Sequence, residues 1–135
     1  LYQQLEERQP RQQAVVAILD TGVDSQHEDL KGNYTSLQRK YDNDPRGHGT
    51  HCAGIAGAVS NNGVGVASYS RNNAFVDITS VKVLKAYGMG TQKTIIRGII
   101  EATDRGVDVI SLSLGGPSSD KRQRAYSEAV AYAKK

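Results

Sequence analysis

The chain has no Trp, one Phe, one Met and one Cys among its 135 residues. Each scarcity removes a class of explanation. With Cys52 alone there is no intrachain disulfide framework and no cysteine-based zinc spacing. No apolar run approaches the ~18 residues of a membrane-spanning helix. The polar, Gln-rich residues 1–13 are wrong for a signal peptide, so an exported protein with this sequence has already shed its signal. Charge of one sign is not in large excess either: 17 basic against 14 acidic residues leave a net charge of +3. The basic residues are scattered apart from Lys121, Arg122 and Arg124, and that cluster suits a solvated helix face better than a phosphate-binding patch. Neither nucleic acid nor membrane is implied as a partner. Apolar residues at 38% and aromatics at 6% are lean for one compact unit, so a core completed by further chain is expected.

What is present is alternation. Residues 14–19, Ala-Val-Val-Ala-Ile-Leu, form a short continuous apolar run, as a strand buried on both faces should. Residues 32–47 are polar and read as loop. From His48 to Ala58 the residues are small, and a helix of Gly, Ala, Thr and Cys can approach a sheet closely enough to offset its poor intrinsic propensity. Residues 78–84 read as a second strand. Residues 91–105 form an amphipathic helix with Ile95, Ile99 and Ala102 on one face, joined by Ile96 and Ile100. Residues 107–114 read as a third buried strand, and residues 121–135 as a last helix capped by Ser119 or Asp120. Strand, helix, strand, helix, strand, helix predicts an α/β fold: a central parallel sheet flanked by helices, with right-handed crossovers. The organisation is an N-terminal arm (1–13) followed by one α/β portion (14–135).

Functional groups in such folds collect at the carboxyl ends of strands, and Asp20 stands at the end of the first. His48, flanked by Gly47 and Gly49, opens the small-residue helix. The positive end of that helix disfavours an imidazolium and favours a neutral base. Both residues belong to the same sheet edge. Asp20 can therefore accept the Nδ1 proton of His48 and leave Nε2 free to act as a base.

Three segments carry a resemblance. Asp20-Thr21-Gly22-Val23-Asp24, Gly47-His48-Gly49-Thr50-His51-Cys52-Ala53-Gly54 and Ser111-Leu112-Ser113-Leu114-Gly115-Gly116 resemble, in order and approximate spacing, the signatures of the subtilisin-like (S8) serine protease family. The likeness extends over residues 14–135, and the Cys after the second His is similar to the thermitase and proteinase K branch. The resemblance implies the three-layer subtilisin-like fold and an Asp-His-Ser triad, with Asp20 as the triad Asp and His48 as general base. His51 matches the family's second, structural His, and Cys52 a buried thiol that confers mercurial sensitivity. Gly88, Met89 and Gly90 on one side, and Ser113, Leu114 and Gly115 on the other, match the segments that clamp an extended peptide by backbone hydrogen bonds; Leu84 and Ile95 match pocket-lining positions. A structural calcium ion is implied too, held by Asp29, the side chain of Asn61 or Asn62, and carbonyls of the loop containing Val59, Val64 and Val66. The implied partners are a polypeptide substrate, the remaining C-terminal part of the catalytic domain and a propeptide or inhibitor, and the implied location is outside the cytoplasm.

The family's Gly-Thr-Ser nucleophile segment and its oxyanion Asn are not among these residues. Ser111, Ser113, Ser118, Ser119 and Ser127 lie in other contexts, Ser113 within the clamp segment. The chain alone is thus expected to be inactive, and the protein to continue past Lys135. Two other functions compete with an endopeptidase half-site. One is a non-catalytic pseudoprotease or fragment that binds peptide or a partner. The other is a nucleotide-binding module, disfavoured because the glycines at 47–54 lack phosphate-loop spacing.

Overall fold

The computed structural model describes residues 13–68 and 75–135; all but the last residue of the N-terminal arm lies outside these. Strand β1 (Ala14–Asp20) leads to the 3-10 turns Lys31–Asn33 and Arg39–Tyr41, helix α1 (His48–Gly57), strand β2 (Val76–Lys82), helix α2 (Gln92–Asp104), strand β3 (Val109–Ser111) and helix α3 (Asp120–Ala133). The three strands form one parallel sheet in the order β2-β1-β3. β1 is therefore central, and the period-two alternation of its side chains supplies two cores. Ile18 packs with Val23, Leu30, Ala53 and Ile78 on the α1 side. Ala17 and Leu19 pack with Val81, Val83, Ile95, Ile99, Ala102 and Ala129 on the side of α2 and α3. Burying a side chain such as Ile18 or Leu19 contributes about 1.5–3 kcal/mol, so the apolar run that marks β1 in the sequence anchors both layers.

Helix α1 has little bulk to bury, and it succeeds by closeness. Gly49, Ala53, Gly54 and Gly57 form its buried stripe. A Cβ on Gly57 would lie 2.9 Å from Ile78 Cδ1, so the helix rests directly on β2. α2 is amphipathic, as its period predicts, and starts from Thr91, whose hydroxyl accepts from the Thr94 N–H. Ser119 plays the same part for α3, accepting from the Arg122 N–H.

Two expectations need correction. Ile100 is not part of the buried face of α2; it is 37% exposed. The third strand spans Val109–Ser111 rather than 107–114, and within these 135 residues Val109 is exposed while Ile110 and Ser111 are half-buried. The Asp20 carbonyl accepts from the Val83 and Leu84 N–H groups, so β1 stays paired with β2 to its end, whereas its ladder with β3 runs only from Val16–Val109 to Ile18–Ser111.

Candidate active site

β1 delivers Asp20 to the carboxyl edge of the sheet with no exposed surface. A carboxylate so placed requires hydrogen-bond donors. One is the Thr21 N–H, 2.7 Å from Oδ1. The other is His48, whose Nδ1 lies 2.7 Å from Oδ1 and 2.8 Å from Oδ2. With Asp20 as a carboxylate its oxygens only accept, which makes Nδ1 the donor of this bond and leaves Nε2 outside it. The His48 side chain is 49% exposed while Asp20 is buried. The pair is thus an imidazole anchored from beneath and presented to solvent, the arrangement that general-base catalysis requires.

The local sequence explains how two elements so far apart in the chain come this close. His48 is the first residue of α1, and Gly47 before it has φ +88°, a left-handed conformation natural to glycine. Gly49 is the contact point: a Cβ there would lie 2.0 Å from the Gly22 carbonyl oxygen and 3.2 Å from Asp20 Cβ. The two glycines serve different ends: Gly47 supplies the left-handed turn before His48, and Gly49 is the packing requirement that lets α1 meet the turn after β1. Cys52, one helical turn below, has its Sγ 4.0 Å from His48 Nδ1. Burial raises the thiol's pKa, as does the Asp20 carboxylate, against a lowering contact from the Ser113 hydroxyl. His51 is exposed on the outer face of the helix.

The other residues singled out in the sequence fall into two groups. Lys85, Gly88 and Met89 form a turn in which the Lys85 N–H donates to the Met89 carbonyl and the Gly88 N–H to the Lys85 carbonyl. Met89 is exposed and so is Gly90, whose backbone crosses close over Val83. Ser113 and Gly115 are exposed, and Leu114 is half-buried against the α2 side of the core. Leu84 and Ile95 belong to that core.

Asp29 lies apart from the His48 pair and is 2% exposed. Its Oδ1 accepts from Asn62 Nδ2 at 2.8 Å and its Oδ2 from the Val66 N–H at 2.6 Å, while its own carbonyl accepts from the Val59 N–H. The loop wraps the carboxylate tightly: Gly65 has φ +63°, and a Cβ there would lie 1.7 Å from Asp29 Oδ2. Both oxygens of the Asp29 carboxylate face N–H donors, so the loop satisfies this buried group with its own hydrogen bonds. Binding an ion there requires Asn62 to turn its amide, because it now presents Nδ2 to Asp29.

Sequence reasoning overlooked Asp44. Its Oδ1 accepts from the Thr21 hydroxyl at 2.7 Å, and its Oδ2 from the N–H and hydroxyl of Thr50 at 2.8 and 2.7 Å. Burial pushes this carboxyl upward, but the hydrogen bonds from Thr21, Thr50 and the Gly47 N–H outweigh it and hold its pKa below the ordinary value. The available signal was a threonine close behind each member of the pair, Thr21 after Asp20 and Thr50 after His48, each with a hydroxyl needing an acceptor.

Comparison with known proteins agrees with this geometry. Residues 11–135 match the subtilase family. The chain is 47% identical over 108 residues to thermitase of Thermoactinomyces vulgaris, covering 76% of this chain and 38% of that protein. It is 41% identical over 128 residues to an intracellular serine protease of Paenibacillus polymyxa, covering 86% and 37%. The crystal structure of a cold-adapted subtilisin-like serine proteinase superposes with a TM-score of 0.66 at 30% identity, over 88% of this chain and 43% of that one. The chain thus spans well under half the length of these relatives. With the family signatures matched over nearly all its length and the fold shared, the chain belongs to the subtilase family.

Proposed function

We propose that the complete protein is a serine endopeptidase in which Asp20 and His48 are two members of the triad and sequence outside these 135 residues supplies the nucleophile. The observation that carries this is the bond between His48 Nδ1 and Asp20. It fixes the tautomer in which Nε2 can take a hydroxyl proton, and the buried carboxylate stabilises the imidazolium that forms. His48 then returns the proton to the leaving amine, and in a second round it activates water to release the acyl group. The segments at 88–90 and 113–115 are assigned to an extended polypeptide substrate, which would add as a strand between them. Leu84 and Ile95 are assigned to the walls beneath, and an inhibitor or propeptide would occupy the same edge segments. The test is hydrolysis of a chromogenic peptide by the complete protein and by His48→Ala. Loss of turnover in the variant is expected, and undiminished turnover would sink the proposal. A complete reading frame lacking a nucleophile would leave peptide binding as the function.

We further assign Asp29, Asn62 and the carbonyls of Val59, Val64 and Val66 to a structural calcium ion, which when bound would cross-link the loop to the 3-10 turn region. Support comes from the burial of Asp29 and the close wrapping of its carboxylate by Gly65. Thermal unfolding reads this directly: a chelator lowers the midpoint of the complete protein and leaves that of Asp29→Asn unchanged. An equal response in both would remove calcium from this loop. Among the described residues no helix is long and apolar enough to cross a membrane. Export is proposed with the function, and since one relative is named as intracellular, a signal at the start of the complete reading frame is the deciding feature.

A further inference from the structure

The Asp20–His48 bond joins a strand end to a helix start, and two threonines stitch those segments together reciprocally. The Thr21 hydroxyl, on the Asp20 side, accepts from the Gly49 N–H at 3.0 Å. The Thr50 hydroxyl, on the His48 side, accepts from the Asp24 N–H at 2.9 Å. Each hydroxyl can hold that accepting role only while its own proton is directed elsewhere, and both protons point at Asp44. The Thr50 N–H, one of the first-turn donors that a helix leaves unsatisfied, converges on the same carboxylate. Only an acceptor-only group satisfies such a convergence of donors.

We propose that Asp44 is a positioning residue for the catalytic pair: its hydrogen bonds orient the two hydroxyls that lock the Asp20 turn against the start of α1. The inference rests on the proteolytic reading above. Without the carboxylate, the Thr21 and Thr50 hydroxyls rotate freely and the two cross-links slacken. The imidazole then drifts relative to its anchor, and a misplacement near 1 Å costs about 100-fold in rate.

The complete protein tests this in four variants: Asp44→Ala, Asp44→Asn, the pair Thr21→Val with Thr50→Val, and His48→Ala. For Asp44→Ala, kcat falls about 100-fold while KM stays within about twofold. The low-field proton resonance of the His48–Asp20 hydrogen bond broadens or shifts in the same variant. Asp44→Asn keeps the shape and presents one donor where an acceptor is needed, so its loss lies between that of Asp44→Ala and wild type. Adding Asp44→Ala to the threonine pair costs much less than the product of the separate losses, because the carboxylate acts through those hydroxyls. Should Asp44→Ala fail to fold by thermal unfolding, Asp44→Asn and the threonine pair decide. A near-wild-type kcat with an unchanged low-field resonance overturns the inference, as does a loss confined to KM or full additivity with the threonine pair. The outcomes separate cleanly: an inert His48→Ala beside a fully active Asp44→Ala sinks only this inference, whereas an active His48→Ala sinks the proteolytic reading itself.

Discussion

Asp20 and Asp29 are both buried carboxylates, and each accepts from one backbone N–H but from a different kind of side chain. Asp29 is wrapped by amides, the Val66 backbone and the Asn62 side chain, which neither gain nor lose charge near neutral pH. Asp20 is given an imidazole, and that imidazole reaches solvent. The same side chain, equally removed from water, becomes a structural knot in one place and half of a proton-transfer device in the other. The partner's chemistry and exposure decide the role; burial of the carboxylate does not. Glycine serves both sites. Gly49 lets α1 close on Asp20, and Gly65 lets a loop close on Asp29.

Substitutions at the two sites should therefore fail in different currencies. The largest effect belongs to His48→Ala, which should reduce kcat of the complete protein by about 10⁶-fold, the loss subtilisin itself shows on removal of its triad His, with the unfolding midpoint little changed. Asp20→Asn follows: it permits the wrong imidazole tautomer and should cost about 10⁴-fold in kcat. Asp29→Asn should leave kcat near wild type and destabilise the fold by about 1–3 kcal/mol, because an amide NH₂ turned toward the Val66 N–H leaves a buried donor unsatisfied. A denaturant titration beside a peptide assay separates the two aspartates, and a large catalytic loss in Asp29→Asn would erase the distinction drawn here. The glycines sharpen it. Gly49→Ala and Gly65→Ala should each cost about 1–3 kcal/mol through overpacking, but only Gly49→Ala should also depress kcat.

The smallest effect is on pH dependence. The Asp44 pKa is lowered in the folded state, so the unfolded chain takes up its proton first as pH falls. The stability Asp44 contributes is complete above the unfolded carboxylate value of about 3.9, declines below it, and is lost once pH falls through the depressed folded value. Acid unfolding of Asp44→Asn should therefore show a shallower slope across that window than wild type; an identical slope would mean that the carboxylate gains nothing from Thr21 and Thr50.

Much of this was legible in the sequence because it depends on local pattern. The apolar run at 14–19 marks a strand covered on both faces, and the glycines around His48 mark a close approach. Thr91 and Ser119 are recognisable caps. The extent of β3 was not legible: residues 107–114 are largely apolar, but the ladder with β1 ends at Ile18–Ser111, and where a ladder ends is set by register with a distant strand rather than by local composition. Ile100 illustrates a related limit, since an isoleucine beside a buried stripe reads as core until the width of the partner surface is known. Asp44 escaped notice because an Asp before Pro45 has the composition of an ordinary turn. Its role exists only where two distant segments bring their hydroxyls together.

The central claim is that Asp20 holds His48 with its proton on Nδ1 and Nε2 bare. Nitrogen NMR of the His48 ring in the complete protein, at a pH where the imidazole is neutral, measures this without recourse to turnover. The account predicts a protonated Nδ1 and an unprotonated Nε2, reverting toward a mixture of tautomers in Asp20→Asn. A proton on Nε2 in the wild-type protein would contradict it.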